Sequence, residues 1–217
     1  MINFLCVSVN FGDYLNETLK QNASIFDQIT VVTSTTDHHT QNVCRQYSNI
    51  KTIETDIFFD NKCDFNKGAG LNEGLKHIQD KDWLLIGDAD CIYPLNLKST
   101  IQELNLDKNN IYGMRRHIVH SSNELKDIIE GRVKPNPRLE RAMHYTPGYF
   151  QLINLSADHI INRQLEYPQF PNAARVDRWF AKFNFGPNNR KIIDGSFVIH
   201  LGPTMINWSG RKSKTWE

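Results

Sequence analysis

The sequence predicts an α/β fold: one domain with a mostly parallel central sheet flanked by helices. Short, apolar, β-rich runs alternate with segments of helical periodicity. Several of those runs end in polar or acidic clusters, as strands do at the edge where open α/β sheets bind ligands. The chain has 217 residues, 40% of them hydrophobic, enough for one sizeable core. No repeat, linker or low-complexity tract divides it. We read 1–217 as one domain whose halves, 1–95 and 96–217, share a sheet.

INFLCVSV is the first strand, broken by Asn10-Phe11-Gly12-Asp13. Residues 14–23 carry Tyr14, Leu15, Thr18 and Leu19 at helical i, i+4 spacing. ITVVTST is a second strand ending in Thr35-Thr36-Asp37-His38-His39, followed by a helix around 38–48 and a short strand, IKTIET. FNKGAGLNEGLKHIQ is a loop feeding a helix with Leu71, Leu75 and Ile78 on one face. DWLLIGDADC is an apolar strand ending in acids. Beyond Pro94 we expect a helix at 96–104, a strand at IYGMRRHIVH, a helix at 122–131 and a Pro-containing loop at 133–138. A strand at YTPGYFQLIN, a helix at 173–183 and a last strand, FVIHLG, complete the pattern; the tail beyond Pro203 has no period.

No apolar run approaches 18 residues, so no membrane span is expected. The opening MINFLCVSVNFGD lacks a basic stretch and meets Asp13 too early for a signal peptide. Cys6, Cys44, Cys63 and Cys91 show no CxxC spacing and no disulfide framework. These features read as a soluble protein of a reducing cytoplasm (the host cell's, if the chain is viral). Net charge is +1, but residues 1–110 hold 9 Lys/Arg against 15 Asp/Glu, or −6, and residues 111–217 hold 16 against 9, or +7. The split suggests two surfaces with different clients. The second carries Arg115, Arg116, Arg132, Lys134, Arg138 and Arg141, then Arg211, Lys212 and Lys214.

The strongest chemical signal is Asp88-Ala89-Asp90, ending WLLIG. Where a strand ends, carboxylates at i and i+2 can reach one cation at its carboxyl edge, and hard oxygen ligands suit Mg²⁺ or Mn²⁺. Read alone, the pair could equally cap the next helix. Asn66-Lys67-Gly68-Ala69-Gly70-Leu71-Asn72 places small residues and a cation at a helix start, which favours phosphate. His200 ends FVIH, where a neutral imidazole could complete a carboxylate-bound Mn²⁺ or simply be structural.

The order VSVN…TSTTD…NKGAGLN…DADC…VDRW…VIHLG resembles nucleotide-sugar glycosyltransferases of the GT-A fold, across nearly the whole chain. The resemblance makes residues 1–95 the nucleotide-sugar half and 96–217 the acceptor half. It implies that Val9 and Asn10 line the nucleotide pocket and that Asp37 contacts base or ribose. The family's paired acid is replaced here by Thr35-Thr36-Asp37, which leaves one aspartate. Asn66 and Lys67 would face the diphosphate-sugar, Asp88 would hold the ribose or a metal-bound water, and Asp90 would bind the metal. His200 matches a metal histidine of some branches. Asp177 matches the general base of inverting members, with Val176 where an acidic neighbour is usual; beside Arg178 it reads equally as a surface acid. Arg211, Lys212 and Lys214 on a mobile tail could close over the departing diphosphate.

The implied reaction is metal-dependent sugar transfer from a nucleotide-sugar, UDP-sugars foremost, to an acceptor hydroxyl. HLG…NWSGR is also similar to phage transferases, some of which glycosylate hydroxymethylated pyrimidines in DNA. With the basic bias this makes modified DNA one candidate acceptor and a saccharide or glycan the other. Tyr145, Tyr149, Phe150 and Trp179 could stack on a flipped base or a sugar ring. A HAD-like phosphatase would place its DxD near the N-terminus. An oxidoreductase would place GxGxxG straight after the first strand, and a sugar nucleotidyltransferase would carry an N-terminal glycine-rich signature. A non-catalytic nucleotide-sugar-binding module is the other alternative.

Overall fold

The first half follows the sequence pattern. β1 (Ile2–Val7), α1 (Gly12–Asn22), β2 (Gln28–Thr33), α2 (His38–Cys44), β3 (Ile50–Glu54), α3 (Lys67–Leu75) and β4 (Trp83–Asp88) succeed one another. β1 pairs in parallel with both β2 and β4, and β2 with β3. The computed structural model describes residues 1–79, 82–138, 146–161 and 165–217. Residues alternate along these strands between two cores. Phe4, Cys6, Val31 and Leu85 meet Leu15 and Leu19 of α1 and Val43 of α2. Leu5, Val32, Leu84 and Ile86 meet Leu71 of α3 on the other face. A Cβ at Gly74 would lie 2.4 Å from Leu5, so glycine is what lets α3 lie directly on the sheet.

The second half adds β5 (Cys91–Ile92), α4 (Leu97–Glu103), β6 (Ile111–Val119), α5 (Ser122–Ile129), β7 (Phe150–Asn154), α6 (Asp158–Ile161), α7 (Val176–Asn184) and β8 (Arg190–Leu201). The strand order is β3-β2-β1-β4-β7-β6-β8-β5. The sheet is mixed rather than purely parallel, with four of its seven strand pairings parallel. β7 runs antiparallel to both β4 and β6, and β5 antiparallel to β8, while β6 and β8 are parallel. A strand buried on both faces reads as a plain apolar run whichever way its neighbour points. β8 is longer than FVIHLG because the exposed Lys191 and Asp194 disguise its first half, and its register against β6 shifts between Met114 and Arg115. Among the described residues no helix is long and apolar enough to cross a membrane.

Candidate active site

The carboxyl ends of β1 and β4, the end of β8 and the first turn of α7 border a cleft of about 1130 Å³. Lys67 links two of its walls. Asn66 caps α3 by accepting the Ala69 N–H at 3.0 Å, which sets Lys67 on the first helical position. Lys67 Nζ donates to Asp88 Oδ1 at 2.7 Å and to Asp177 Oδ1 at 3.4 Å. Burial opposes its charge, but Asp177 and Asp88 override burial and raise its pKa. Burial likewise works against the Asp88 carboxylate, and Lys67 overrides it and holds the pKa down. For Asp177 burial wins over Lys67 and the pKa is raised.

Asp90 and His200 form the second cluster. The β5–β8 pairing sets Cys91 opposite His200, and the Leu201 N–H donates to the Asp90 carbonyl at 2.8 Å. His200 Nε2 lies 3.7 Å from Asp90 Oδ1, too long for a hydrogen bond and short enough for one cation to touch both. Burial raises the Asp90 pKa despite His200. Among the described residues the donor atoms of Asp90, Cys91 and His200 lie within 4.8 Å of one another. Cys91 is the misfit for a hard cation. Its side chain belongs to the core, burial pushes its pKa well up, and its Sγ lies 3.8 Å from Asp90 Oδ1 as a donor. A buried carboxylate and an imidazole fit Mn²⁺, and Mg²⁺ through the carboxylate.

Asp177 occupies the first turn of α7, after Arg175 in a left-handed conformation, φ 68°. Gln151 steadies that turn: its amide donates to the Asp177 carbonyl at 3.0 Å, and its Oε1 accepts from Tyr167 at 2.7 Å. Tyr167 stacks on Phe180 of α7 at 3.8 Å. Opposite the carboxylate is Gly148, where a Cβ would stand 1.8 Å from Asp177 Oδ2.

The structure thus brings Val9, Lys67, Asp88, Asp90, Asp177 and His200 to one cleft. Other expected residues stand behind its walls. Asp37 caps α2, accepting from the Thr40 N–H at 3.1 Å, its hydroxyl at 2.6 Å and the Asn10 N–H at 2.5 Å. Arg211 is paired with Asp13, and the Lys212 N–H donates to Asn207 Oδ1 at 2.8 Å. Far from lying loose, the tail docks on α1, with Trp216 against Tyr14 at 5.5 Å. Of the expected stacking rings, Phe150 is a core residue, whereas Tyr149, largely buried beneath Arg116 at 4.5 Å, still borders the cleft. Tyr145 and Arg141 lie outside the described residues. Trp179 does line the cleft, joined by Phe183 of the same helix and by Trp208 of NWSGR, neither of which sequence reasoning singled out as a ring of the site. Sequence reasoning also missed Gly148, and counted Arg116 in a basic acceptor surface without placing it in the cleft.

The glycosyl transferase family 2 model matches residues 6–163. The chain belongs to that family. As a family 2 glycosyltransferase it carries Asp88-Ala89-Asp90 at the end of its fourth strand and in the turn that follows, and the phosphatase and oxidoreductase readings fall away. The fold is similar to that of glucosyl-3-phosphoglycerate synthase from Mycobacterium tuberculosis, solved with Mn²⁺, UDP-glucose and phosphoglyceric acid. That likeness has a TM-score of 0.57 at 12% identity and covers 92% of this chain and 71% of the other. It is also similar to 4-diphosphocytidyl-2C-methyl-D-erythritol synthase from Anaerococcus prevotii, with a TM-score of 0.51 at 13% identity over 100% of this chain and 91% of the other. No curated protein matches the sequence.

Proposed function

We propose that this glycosyltransferase moves a sugar from a nucleotide-sugar, UDP-sugars first, to an acceptor hydroxyl with inversion, in the cytoplasm. One observation carries the reading: Asp88, Asp90, Asp177, Lys67 and His200, drawn from four separate places in the chain, meet in one cleft. Asp90 and His200 would hold Mn²⁺ or Mg²⁺, with Asp88 beside them or on the ribose. Such an ion stabilises charge on a leaving diphosphate when bound. The M. tuberculosis structure, which holds Mn²⁺ with UDP-glucose, supports that pairing of ion and donor. Val9 borders the nucleotide space; Asp37 and Asn66 act from behind it by holding backbone, and Asn10 is itself held, its N–H by Asp37. Lys67 ties the donor wall to Asp177, whose carboxylate would take the acceptor proton.

For the acceptor, Arg116, Arg175 and Arg178 line the cleft and favour a phosphate-bearing molecule, with a hydroxymethylated DNA base as our candidate. A saccharide or glycan is the second reading, favoured by the aromatic rim of Trp179 and Phe183, stacked at 5.1 Å. The test is to incubate the protein with Mn²⁺, a panel of nucleotide-sugars and either acceptor class, then measure free nucleotide and product anomer. Asp90→Ala should abolish metal-dependent donor binding with the fold intact. Donor affinity and EDTA sensitivity unchanged in that variant would overturn the metal assignment. Nucleotide bound but never released by the wild type would make the chain a binding module, and retained anomeric configuration would remove the need for Asp177 as base.

A further inference from the structure

Asn10, between β1 and α1, has a left-handed backbone, φ 62°, a conformation that asparagine tolerates better than most residues. Its neighbours Val9 and Phe11 both line the cleft, so the path of this loop sets the nucleotide edge. Two groups grip it. From below, Asp37 accepts the Asn10 N–H at 2.5 Å. From above, Arg211 Nη1 donates to the Asn10 carbonyl at 2.6 Å.

Arg211 is itself fixed on every side. It forks onto the Asp13 carboxylate, with Nη2–Oδ2 at 2.7 Å, and donates to the Lys214 carbonyl at 2.8 Å. Its guanidinium lies 5.1 Å from the Phe11 ring centre and 4.9 Å from that of Tyr14. Asp13 also accepts the Trp216 N–H at 2.7 Å. The two side chains are only 15% and 12% exposed, which makes the fork far stronger than a surface ion pair.

We infer that Asp13 and Arg211 are a positioning pair for the nucleotide: through the Asn10 carbonyl they hold the β1–α1 loop in its binding shape, and they make donor binding depend on a docked C-terminal tail. Neither residue touches the donor. The inference rests on the nucleotide-sugar reading and adds to it a role for the tail other than that of a cationic lid.

The test is calorimetry of UDP, GDP, CDP and TDP with Mn²⁺, on the full chain and on Asp13→Asn, Arg211→Lys and the double variant. Each single variant should bind the preferred nucleotide at least about tenfold more weakly, the scale of one lost charge-assisted bond. The double variant should be no worse than the poorer single one. In turnover the loss should fall on donor KM more than on kcat, and hydrogen exchange at Asn10 and Phe11 should quicken. Arg211→Lys keeps the charge and guards against simple misfolding. Variants that melt earlier but bind within about twofold of wild type would overturn the inference and leave the pair structural. A wild type that binds none of the four nucleotides would overturn the nucleotide reading, and this inference with it.

Discussion

Gly148→Ala probes the proposed base without altering any charge. The added Cβ would stand 1.8 Å from Asp177 Oδ2, 2.0 Å from Cγ and 2.6 Å from Oδ1. Carbon contacts settle at about 3.5–4.0 Å, so the carboxylate must retreat by roughly 1.5–2 Å. It is the free end of a short side chain and can turn away, at a cost of about 1 kcal/mol for an off-rotamer χ. The fold therefore survives. The retreat moves the carboxylate off its 3.4 Å contact with Lys67 and out of its place in the cleft. A misplacement of about 1 Å can lower a rate about 100-fold. We expect kcat to fall by about that factor, with nucleotide affinity near wild type and melting lowered by only a few degrees, about 4 °C. The assay is steady-state transfer alongside nucleotide calorimetry on the same preparation. A folded, nucleotide-binding variant that turns over within about threefold of wild type, far short of that loss, would refute Asp177 as the base.

His200→Ala should weaken apparent Mn²⁺ affinity about 10–100-fold, whereas Cys91→Ala should leave the titration in place; loss of Mn²⁺ binding in the cysteine variant would make the thiol a ligand. Burial would push the Asp13 carboxyl up, but the Arg211 guanidinium and the Trp216 N–H override it and hold the pKa below the ordinary range. The contribution of Asp13 to stability is thus full above the unfolded value of about 3.9 and is lost as pH falls through the lower folded value. The stability difference between wild type and Asp13→Asn, followed by urea unfolding, should shrink below about pH 4; a constant difference from neutral to strongly acid pH would contradict the pairing.

The first half of the fold was legible because each strand is an apolar run closed by a polar cluster and each helix shows its period. The second half was legible as elements but not as a sheet. Direction leaves no mark on a doubly buried strand such as FQLIN, and the two residues of β5 are too few to carry a period. At the site, residues within short motifs were legible: Lys67, Asp88, Asp90, Asp177 and His200 do meet. Gly148 was not, because its meaning is the space it leaves for a carboxylate 29 positions away. Arg211 was visible as a cation, but its role depends on Asp13, a residue with no motif, and on the Asn10 carbonyl, which no side-chain pattern records.

The charge split shows the same gap between sequence and space, and it leads to a number. Three of the second half's cations are already paired: Arg115 with Asp194 and Arg132 with Asp127 at the surface, both acids of the same half, and Arg211 with Asp13 of the first half. A long basic surface is therefore a poor description of the second half. Facing the cleft are Arg116, Arg175 and Arg178, across from the acids at the end of β4. Arg116 is buried, which leaves Arg175 and Arg178 to reach a duplex. If both meet phosphates, the slope of log affinity on log salt is about −0.9 for each, or about −1.8 in all. Raising salt fourfold, from about 50 to about 200 mM, should then weaken DNA binding about 12-fold. Arg175→Ala should remove about half of that slope. A steeper slope would bring in cations outside the cleft, such as Lys134 or Lys212. Flat binding between those salt concentrations, with transfer to a free saccharide, would refute the phosphate-backbone reading and make the rim of Trp179 and Phe183 the acceptor surface.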